Sequence, residues 1–179
     1  MASLWTIGHS TRSLEAFLEL LRAHGIERLV DVRRFPRSRR HPHFNTDALA
    51  EALPAAGLTY RHLPGLGGFR RPRADSHNAG WRNASFRGYA DYMETDEFAG
   101  HLATLLEEAR IGRTAYMCAE AVPWRCHRSL ISDTLVARGV GVRHILDIGP
   151  AELHALTVGA RVQGERVVYP GEPDLFRAG

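Results

Sequence analysis

Two cysteines in one short segment are the residues of this chain best suited to nucleophilic chemistry. Cys118 ends an apolar run typical of a buried strand, and Cys126 lies where the next predicted helix begins. A helix N-terminus and nearby arginines, here Arg125 and Arg128, lower the pKa of a thiol and attract anions. The segment therefore predicts that Cys118 is a thiolate nucleophile or part of an anion-binding loop. The alternative is that Cys118 is a small buried apolar residue, as most free cysteines are.

The same segment contains groups that bind metals. Cys118, Cys126 and His127, with His9 or His62 brought close by the predicted sheet, could ligate zinc or iron. The spacing of the two cysteines does not match a common zinc knuckle. A metal site is therefore a secondary hypothesis, and the sequence leaves the cofactor undetermined.

Three carboxylates are candidates for general acid or base catalysis. Asp31 and Glu120 follow predicted strands, where burial and facing arginines can set the pKa of a carboxyl group. Asp91 lies between two tyrosines of a predicted helix. The alternative for each is a structural ion pair, because the chain has 23 basic residues and all of them are arginine.

Positive charge is concentrated in one region of the chain. The net charge is only +3, but residues 33–87 contain eleven arginines and three acidic residues. Within this region, arginines and histidines alternate with Phe35 and Phe44, a mixture suited to phosphates and stacked bases. The alternative is a solvated basic surface. The densest run comprises Arg33, Arg34, Arg37, Arg39, Arg40, His41 and His43.

Apolar periodicity alternates between strand and helix along the chain. This alternation predicts an α/β fold with a mostly parallel central sheet of about five strands, helices on both faces, and long basic Gly/Pro-containing loops at the carboxyl ends of the strands. The predicted strands are 4–7, 27–33, 58–63, 114–118 and 142–148. The predicted helices begin at residue 14 and cover 46–56, 88–110 with a break near Thr95, 126–138 and 151–156, followed by a hairpin across 163–165.

In open parallel sheets, ligands bind beyond the carboxyl ends of the strands. Polar residues cluster there in this sequence, which predicts that they converge on one site. They are His9 after the first strand, Asp31 and Arg33 after the second, Tyr60 and His62 after the third, and Cys118 and Glu120 after the fourth.

Length and hydropathy predict a single α/β domain over residues 1–179, with a C-terminal hairpin and tail at 159–179. No apolar run approaches the roughly 20 residues that cross a bilayer, and no signal peptide is evident. We therefore expect a cytoplasmic protein without membrane contact, in which the two cysteines are reduced.

Several ordered motifs identify a resemblance to a known family. They are Thr6–Ser10, Asp31–Arg33 with Pro36 and Ser38, Tyr60–Pro64 with Leu66–Gly68, Tyr89–Met93, and Met117–Glu120 with Cys126–Arg128. Together they resemble the bacterial family catalogued as domain of unknown function 488, over residues 4 to 170. The resemblance implies site positions without roles, and the names of some members suggest DNA repair. These positions are His9, Asp31, Arg33, Tyr60, His62, Asp91, Cys118, Glu120, Cys126, His127 and Arg128.

The leading hypothesis is an enzyme that acts on nucleic acid or a nucleotide, in DNA repair or base modification. Its reacting group would face Cys118, Glu120 and His9. Its phosphates would contact Arg33, Arg37, Arg39, Arg40, Tyr60, His62, Arg125 and Arg128.

Two alternatives stay open. One is a sulfurtransferase or phosphatase-like enzyme that uses Cys118 on a phosphorylated small molecule. The loop after Cys118 is similar to those of cysteine phosphatases and rhodaneses, but six residues separate Cys118 from Arg125 and the loop contains Glu120. The other alternative is a non-catalytic nucleic-acid-binding module. The sequence does not indicate an oligomeric state.

Overall fold

The computed structural model describes residues 2–171. Strands and helices alternate through most of this range, as the hydrophobic periodicity predicts. The strands are β1 Ser3–Gly8, β2 Arg28–Asp31, β3 Thr59–His62, β4 Thr114–Cys118, β5 Gly141–Ile145, β6 Glu152–Leu153, β7 Arg161–Gln163 and β8 Arg166–Val168. The helices are α1 Leu14–Ala23, α2 Thr46–Ala55, α3 Ala84–Tyr92, α4 Asp96–Ile111 and α5 Arg128–Ala137.

The central sheet has six strands in the order β3-β2-β4-β1-β5-β6. The first five are parallel, and β6 pairs antiparallel with β5 at one edge. The register places Gly8 of β1 opposite Cys118 of β4. It also places Asp31 of β2 opposite His62 and Met117. The carboxyl ends of four strands therefore meet at one edge, as expected for a parallel sheet.

Helices cover both faces of this sheet. Side chains of a strand alternate between faces, so Tyr116 packs on one side of β4, and Ala115 and Met117 pack on the other. The Tyr116 side contacts apolar residues of α3, α4 and α5, and the opposite side contacts those of α1 and α2. All five residues of β4 are buried because both of its faces are covered.

Side-chain caps fix the helix boundaries near the site. Ser13 caps α1 and Asn83 caps α3. Thr95 accepts a hydrogen bond from the backbone N–H of Phe98 and so begins α4, which confirms the predicted break between α3 and α4.

The prediction of a helix over residues 151–156 is wrong. Glu152 and Leu153 form β6, pairing with His144 and Arg143. The backbone N–H of His154 donates to the carbonyl of Val142, which extends the pairing with β5. Six residues are too few for a stable isolated helix, and the open edge of β5 offers these backbone groups hydrogen-bond partners. The sheet therefore has one more strand than predicted.

The C-terminal hairpin is confirmed, with β7 and β8 paired around Gly164. Residues 172–179 of the predicted tail lie outside the described residues. None of the helices between residues 2 and 171 combines the length and apolar character needed to cross a membrane.

Candidate functional site

A cleft of about 420 Å³ opens at the carboxyl ends of β2 and β4. Cys118, Cys126 and His127 line it together. Its other walls come from the segment after β2, the long loop before α3, α3 itself and the segment after β4. These walls include Arg33, Arg34, Phe35, Gly68, Phe69, Asn83, Phe86, Tyr89, Glu120 and Arg125.

The two cysteines lie side by side in this cleft. Cys118 ends β4, and a 3-10 turn at Pro123–Arg125 brings the chain back so that the Sγ atoms of Cys118 and Cys126 are 2.7 Å apart. Both are free thiols, 2% and 5% exposed. Gly8 permits this arrangement, because a Cβ at that position would collide with the carbonyl oxygen of Glu120.

Arg128 is fully buried beneath the cysteines. Its side chain donates to the carbonyl of Glu120 at 2.7 Å and to Oγ1 of Thr6 at 3.2 Å. Across residues 2–171, no carboxylate lies within ion-pair distance of it. A buried cation requires a compensating charge. The Cys126 sulfur, which accepts a hydrogen bond from the Arg128 backbone N–H at 3.4 Å, is the acidic group in position to supply it.

The surroundings distinguish the two thiols. Burial raises the pKa of Cys126, but the contact with Cys118 and the charge of Arg128 outweigh burial and bring this pKa down to about 7. Burial and the neighbouring Cys126 raise the pKa of Cys118 well above its ordinary value. The contacts agree with this order, because Cys126 accepts a hydrogen bond from the Arg128 N–H whereas Cys118 can donate to the Glu120 carbonyl at 3.8 Å. Cys126 is therefore the more acidic of the two thiols.

His127 lies against the thiolate. Its Nε2 donates to the carbonyl oxygen of Val32 at 3.0 Å, so its Nδ1 carries no proton in the neutral ring and faces the Cys126 sulfur at 3.5 Å. Burial lowers the pKa of His127, which keeps the ring neutral at physiological pH. The unprotonated Nδ1 can therefore accept a hydrogen bond from the Cys126 thiol.

A chain of hydrogen bonds continues from Arg128 into the core. Thr6 Oγ1 accepts from Arg128 and contacts His144 Nδ1 at 2.7 Å. His144 Nε2 contacts His154 Nδ1, and His154 Nε2 donates to Asp133, each at 2.8 Å. Burial, followed by the influence of His154, lowers the pKa of His144 to about 3, so this ring is neutral. With both imidazole rings neutral, every donor is directed from Arg128 toward Asp133, which links the buried cation to a buried carboxylate.

A second cluster of predicted residues surrounds Asp31. Its carboxylate accepts two hydrogen bonds from the Arg33 side chain, at 2.8 and 2.7 Å, and one from Tyr60 at 2.7 Å. His9 Nε2 contacts Arg33 Nη1 at 3.2 Å, and His62 donates to the Arg33 carbonyl. The acid/base candidate Asp31 is therefore the centre of a buried ion pair that orients Arg33 at the cleft.

His9 supports this cluster as a neutral ring. Burial lowers the pKa of His9 to about 4, and the charge of Arg33 contributes in the same direction. The ring stacks on Phe44, with centroids 4.4 Å apart.

The remaining predicted residues are separate from the thiols or at the rim. Asp91 is outside the cleft lining and accepts hydrogen bonds from Arg73, Ser76 and Asn78, which anchors the long loop. Glu120 and Arg125 are exposed at the rim. Arg37 and Arg39 line an adjoining cleft of about 1110 Å³ together with His62, and Arg40 is exposed nearby.

Two exposed aromatic rings form the mouth of the thiol cleft. Phe35 and Phe69 are 68% and 73% exposed, with ring centroids 6.2 Å apart. The guanidinium of Arg34 lies 5.4 Å from the Phe35 ring and donates to the Phe69 carbonyl at 2.9 Å. Phe69 has a φ of 60°, in the left-handed region that costs a non-glycine residue about 1–3 kcal/mol. Arg34 and Phe35 line both clefts, so the two spaces share this rim.

Comparison with known proteins gives one match. The family described as "Domain of unknown function DUF488" matches residues 13–135. The chain belongs to this family. The match covers Cys118, Cys126, Arg128 and the rim arginines, whereas β1 and the strands after α5 lie outside it. No curated protein and no solved structure matches the chain.

Sequence reasoning missed part of the site in this DUF488 protein. Asp133, His144 and His154 were not among the predicted site residues, and Thr6 was named only as part of a family motif, although together they connect Arg128 to the core. Their partners are up to 138 residues apart in the chain, so no local spacing indicates them.

The predicted metal site can be compared with the arrangement of His, Cys, Asp and Glu side chains in residues 2–171. No group of three or more His, Cys, Asp or Glu side chains there is arranged to hold an ion. Cys118, Cys126 and His127 are close together, but His127 already donates its Nε2 proton to Val32 and its Nδ1 faces Cys126.

Proposed function

We propose that this DUF488 protein is an enzyme that acts on nucleic acid or a nucleotide, with the Cys126 thiolate as its reacting group. The observation that carries the proposal is the exposed aromatic pair Phe35 and Phe69, joined by Arg34, at the mouth of the cleft that holds the thiolate. Adjacent exposed apolar side chains at the mouth of a cleft are a feature of binding surfaces, in contrast to single exposed apolar residues such as Ile111.

Stacking of a base on the aromatic pair supports the proposal energetically. Alanine substitution at a base-stacking ring costs about 1–3 kcal/mol per base, whatever the base. The rings lie beside the arginine-rich adjoining cleft, where Arg37 and Arg39 can contact phosphates on either side of a stacked base. A base held by Phe35 and Phe69 would leave its edge facing the thiolate.

The proposed reaction uses a thiolate on Cys126 and a thiol on Cys118. The Cys126 thiolate would add to an electrophilic carbon of the bound base and break the π bond there, and the Cys118 thiol would give its proton to the atom that gains the electron pair. Expulsion of the Cys126 thiolate would later restore the double bond, and the Cys118 thiolate would take that proton back. This arrangement supports base modification or repair, with Cys126 rather than Cys118 as the nucleophile.

Binding of labelled single-stranded DNA and RNA, measured by fluorescence anisotropy, tests the proposal. We expect Phe35→Ala and Phe69→Ala each to weaken binding about 5- to 150-fold, the factor that corresponds to 1–3 kcal/mol. Ile111→Ala is the matched control, because Ile111 is 66% exposed but lines neither cleft.

The salt dependence gives a second criterion in the same experiment. Bound phosphates release counterions, so affinity should fall steeply between about 50 and 200 mM salt. Absence of binding at low salt, or equal losses for Ile111→Ala and Phe35→Ala, would contradict the proposal. If Cys126→Ser bound normally and preserved the cellular role, the chain would be a non-catalytic binding module instead.

A second candidate is a Cys-dependent phosphatase-like enzyme or sulfurtransferase that acts on a small anion. The observation that favours it is the thiolate held by a buried arginine, Arg128, at the start of a helix. The Glu120 carbonyl already occupies the Arg128 side chain, so this arginine is less able to face a ligand. Hydrolysis of aryl phosphates or persulfide formation, lost in Cys126→Ser without any need for nucleic acid, would favour this candidate.

A further inference from the structure

We propose that Cys126 and Cys118 form a hydroperoxide-reducing pair, in which Cys126 attacks the peroxide and Cys118 completes an intramolecular disulfide. This inference goes beyond the proposed function. It uses the same thiolate but requires no nucleic acid.

The sulfur atoms of Cys118 and Cys126 lie close enough to bond after a small movement. The two Sγ atoms are 2.7 Å apart, and a disulfide requires about 2.05 Å. A movement of less than about 1 Å therefore closes the bond. Cys126 lies between the 3-10 turn Pro123–Arg125 and the start of α5, outside both the sheet and the α-helices, where a shift of this size is accommodated most easily.

The second argument is the unequal ionisation of the pair. Cys126 accepts a hydrogen bond from the Arg128 backbone N–H at 3.4 Å, which favours its thiolate, whereas Cys118 can donate its proton to the Glu120 carbonyl at 3.8 Å. Cysteines that react with peroxides are ionised at neutral pH and have a second cysteine within reach to resolve the sulfenic acid. Both requirements are present in one cleft.

The third argument concerns access. Both sulfurs line the cleft, yet only a few per cent of each residue is exposed. The cleft of about 420 Å³ has room for hydrogen peroxide or a small organic hydroperoxide beside the two sulfurs.

The reaction balances with a hydroperoxide as the oxidant. The Cys126 thiolate displaces the distal oxygen of H₂O₂, forming Cys126 sulfenic acid and hydroxide, and the O–O bond breaks. That hydroxide takes the Cys118 proton and becomes water. The Cys118 thiolate then attacks the Cys126 sulfur, forming the S–S bond and expelling a second hydroxide to solvent. Two electrons pass from the sulfurs to the peroxide.

The test is oxidation of the reduced full chain with hydrogen peroxide, without nucleic acid. We expect one peroxide consumed per two thiols lost, and a product about 2 Da lighter with no increase in molecular size. The rate should rise with pH around a midpoint near 7, where Cys126 ionises, and not near 8.5 as for an ordinary thiol.

Two variants assign the steps. Cys118→Ser should stop at a sulfenic acid on Cys126, trapped by dimedone, and Cys126→Ser should lose the fast reaction. Circular dichroism of each variant establishes that it is folded, and the pH profile of the unaltered chain needs no variant.

An oxidation midpoint near 8.5, or a product with disulfides only between chains, would overturn the inference. The outcome is separate from that of the proposed function, because oligonucleotide binding is measured on the reduced protein without peroxide.

Discussion

Replacement of Arg128 by glutamine tests the electrostatic basis of the site. Glutamine keeps an amide that can donate to the Glu120 carbonyl but removes the buried positive charge. Within residues 2–171, no carboxylate pairs with Arg128. The Cys126 thiolate is therefore the group that would lose its compensating positive charge. We therefore expect the pKa of Cys126 to rise.

The magnitude follows from the difference between the two environments. The pKa of Cys126 is about 7, and an ordinary thiol ionises near 8.5. A return to the ordinary value is a rise of about 1.5 units, which corresponds to about 2 kcal/mol. At pH 7 the thiolate fraction would fall from about one half to about 3%, roughly a 15-fold loss. Burial without its cation would raise the pKa further.

The assay is alkylation with iodoacetamide, a neutral reagent whose approach does not depend on the removed charge. Rates are measured from about pH 5 to 10 and read by mass spectrometry on peptides, since cleavage after Arg125 separates Cys118 from Cys126. Arg125→Gln is the matched control because that arginine is exposed at the rim. A midpoint for Cys126 that stays near 7 in Arg128→Gln, or shifts equally in Arg125→Gln, would refute the reasoning.

Two further predictions concern stability. Gly8→Ala should lower the free energy of unfolding by more than about 2 kcal/mol, since the added Cβ would collide with the Glu120 carbonyl. Gly100→Ala should raise the free energy of unfolding by about 0.5–1 kcal/mol, because Gly100 lies inside α4 and an added Cβ meets nothing there. Urea unfolding of both variants measures the difference, and similar effects would contradict the packing described at β1. Between pH 6.5 and 5 the unfolded chain protonates His9 and His144 while the folded chain does not, because their pKa values are lowered to about 4 and 3. Stability should therefore fall with falling pH by about 1.5 kcal/mol for each histidine. Urea unfolding at several pH values measures this, and the free energy of unfolding should depend less steeply on pH in His144→Gln. An unchanged pH dependence in His144→Gln would mean that His144 is not buried as a neutral ring.

Much of the fold follows from local sequence. The buried strand ending at Cys118 and the break at Thr95 come from apolar periodicity and a capping residue, and both are present. The edge strand β6 could not be predicted in this way. Its two residues carry no strand period, and only the open edge of β5 supplies their hydrogen-bond partners.

Part of the site could likewise be predicted from the sequence, and part of it could not. Cys118 and Arg33 lie in one cleft, as predicted, because each follows a parallel strand and the carboxyl ends of parallel strands meet at the same edge of the sheet. The distinction between the two thiols could not be seen in the sequence. It depends on Arg128 having no carboxylate partner within residues 2–171, and in a chain with 20 acidic residues only tertiary structure shows which arginines are paired.

Protection of Cys126 by nucleic acid tests the central claim most directly, because it joins the binding surface to the reacting group. The rate of Cys126 alkylation is measured at low salt and neutral pH, with and without a saturating single-stranded oligonucleotide. A base held by Phe35 and Phe69 would close the mouth of the cleft, so we predict that the rate falls at least about tenfold, in proportion to occupancy. An oligonucleotide that binds fully and leaves the rate unchanged would contradict the claim that this cleft acts on nucleic acid.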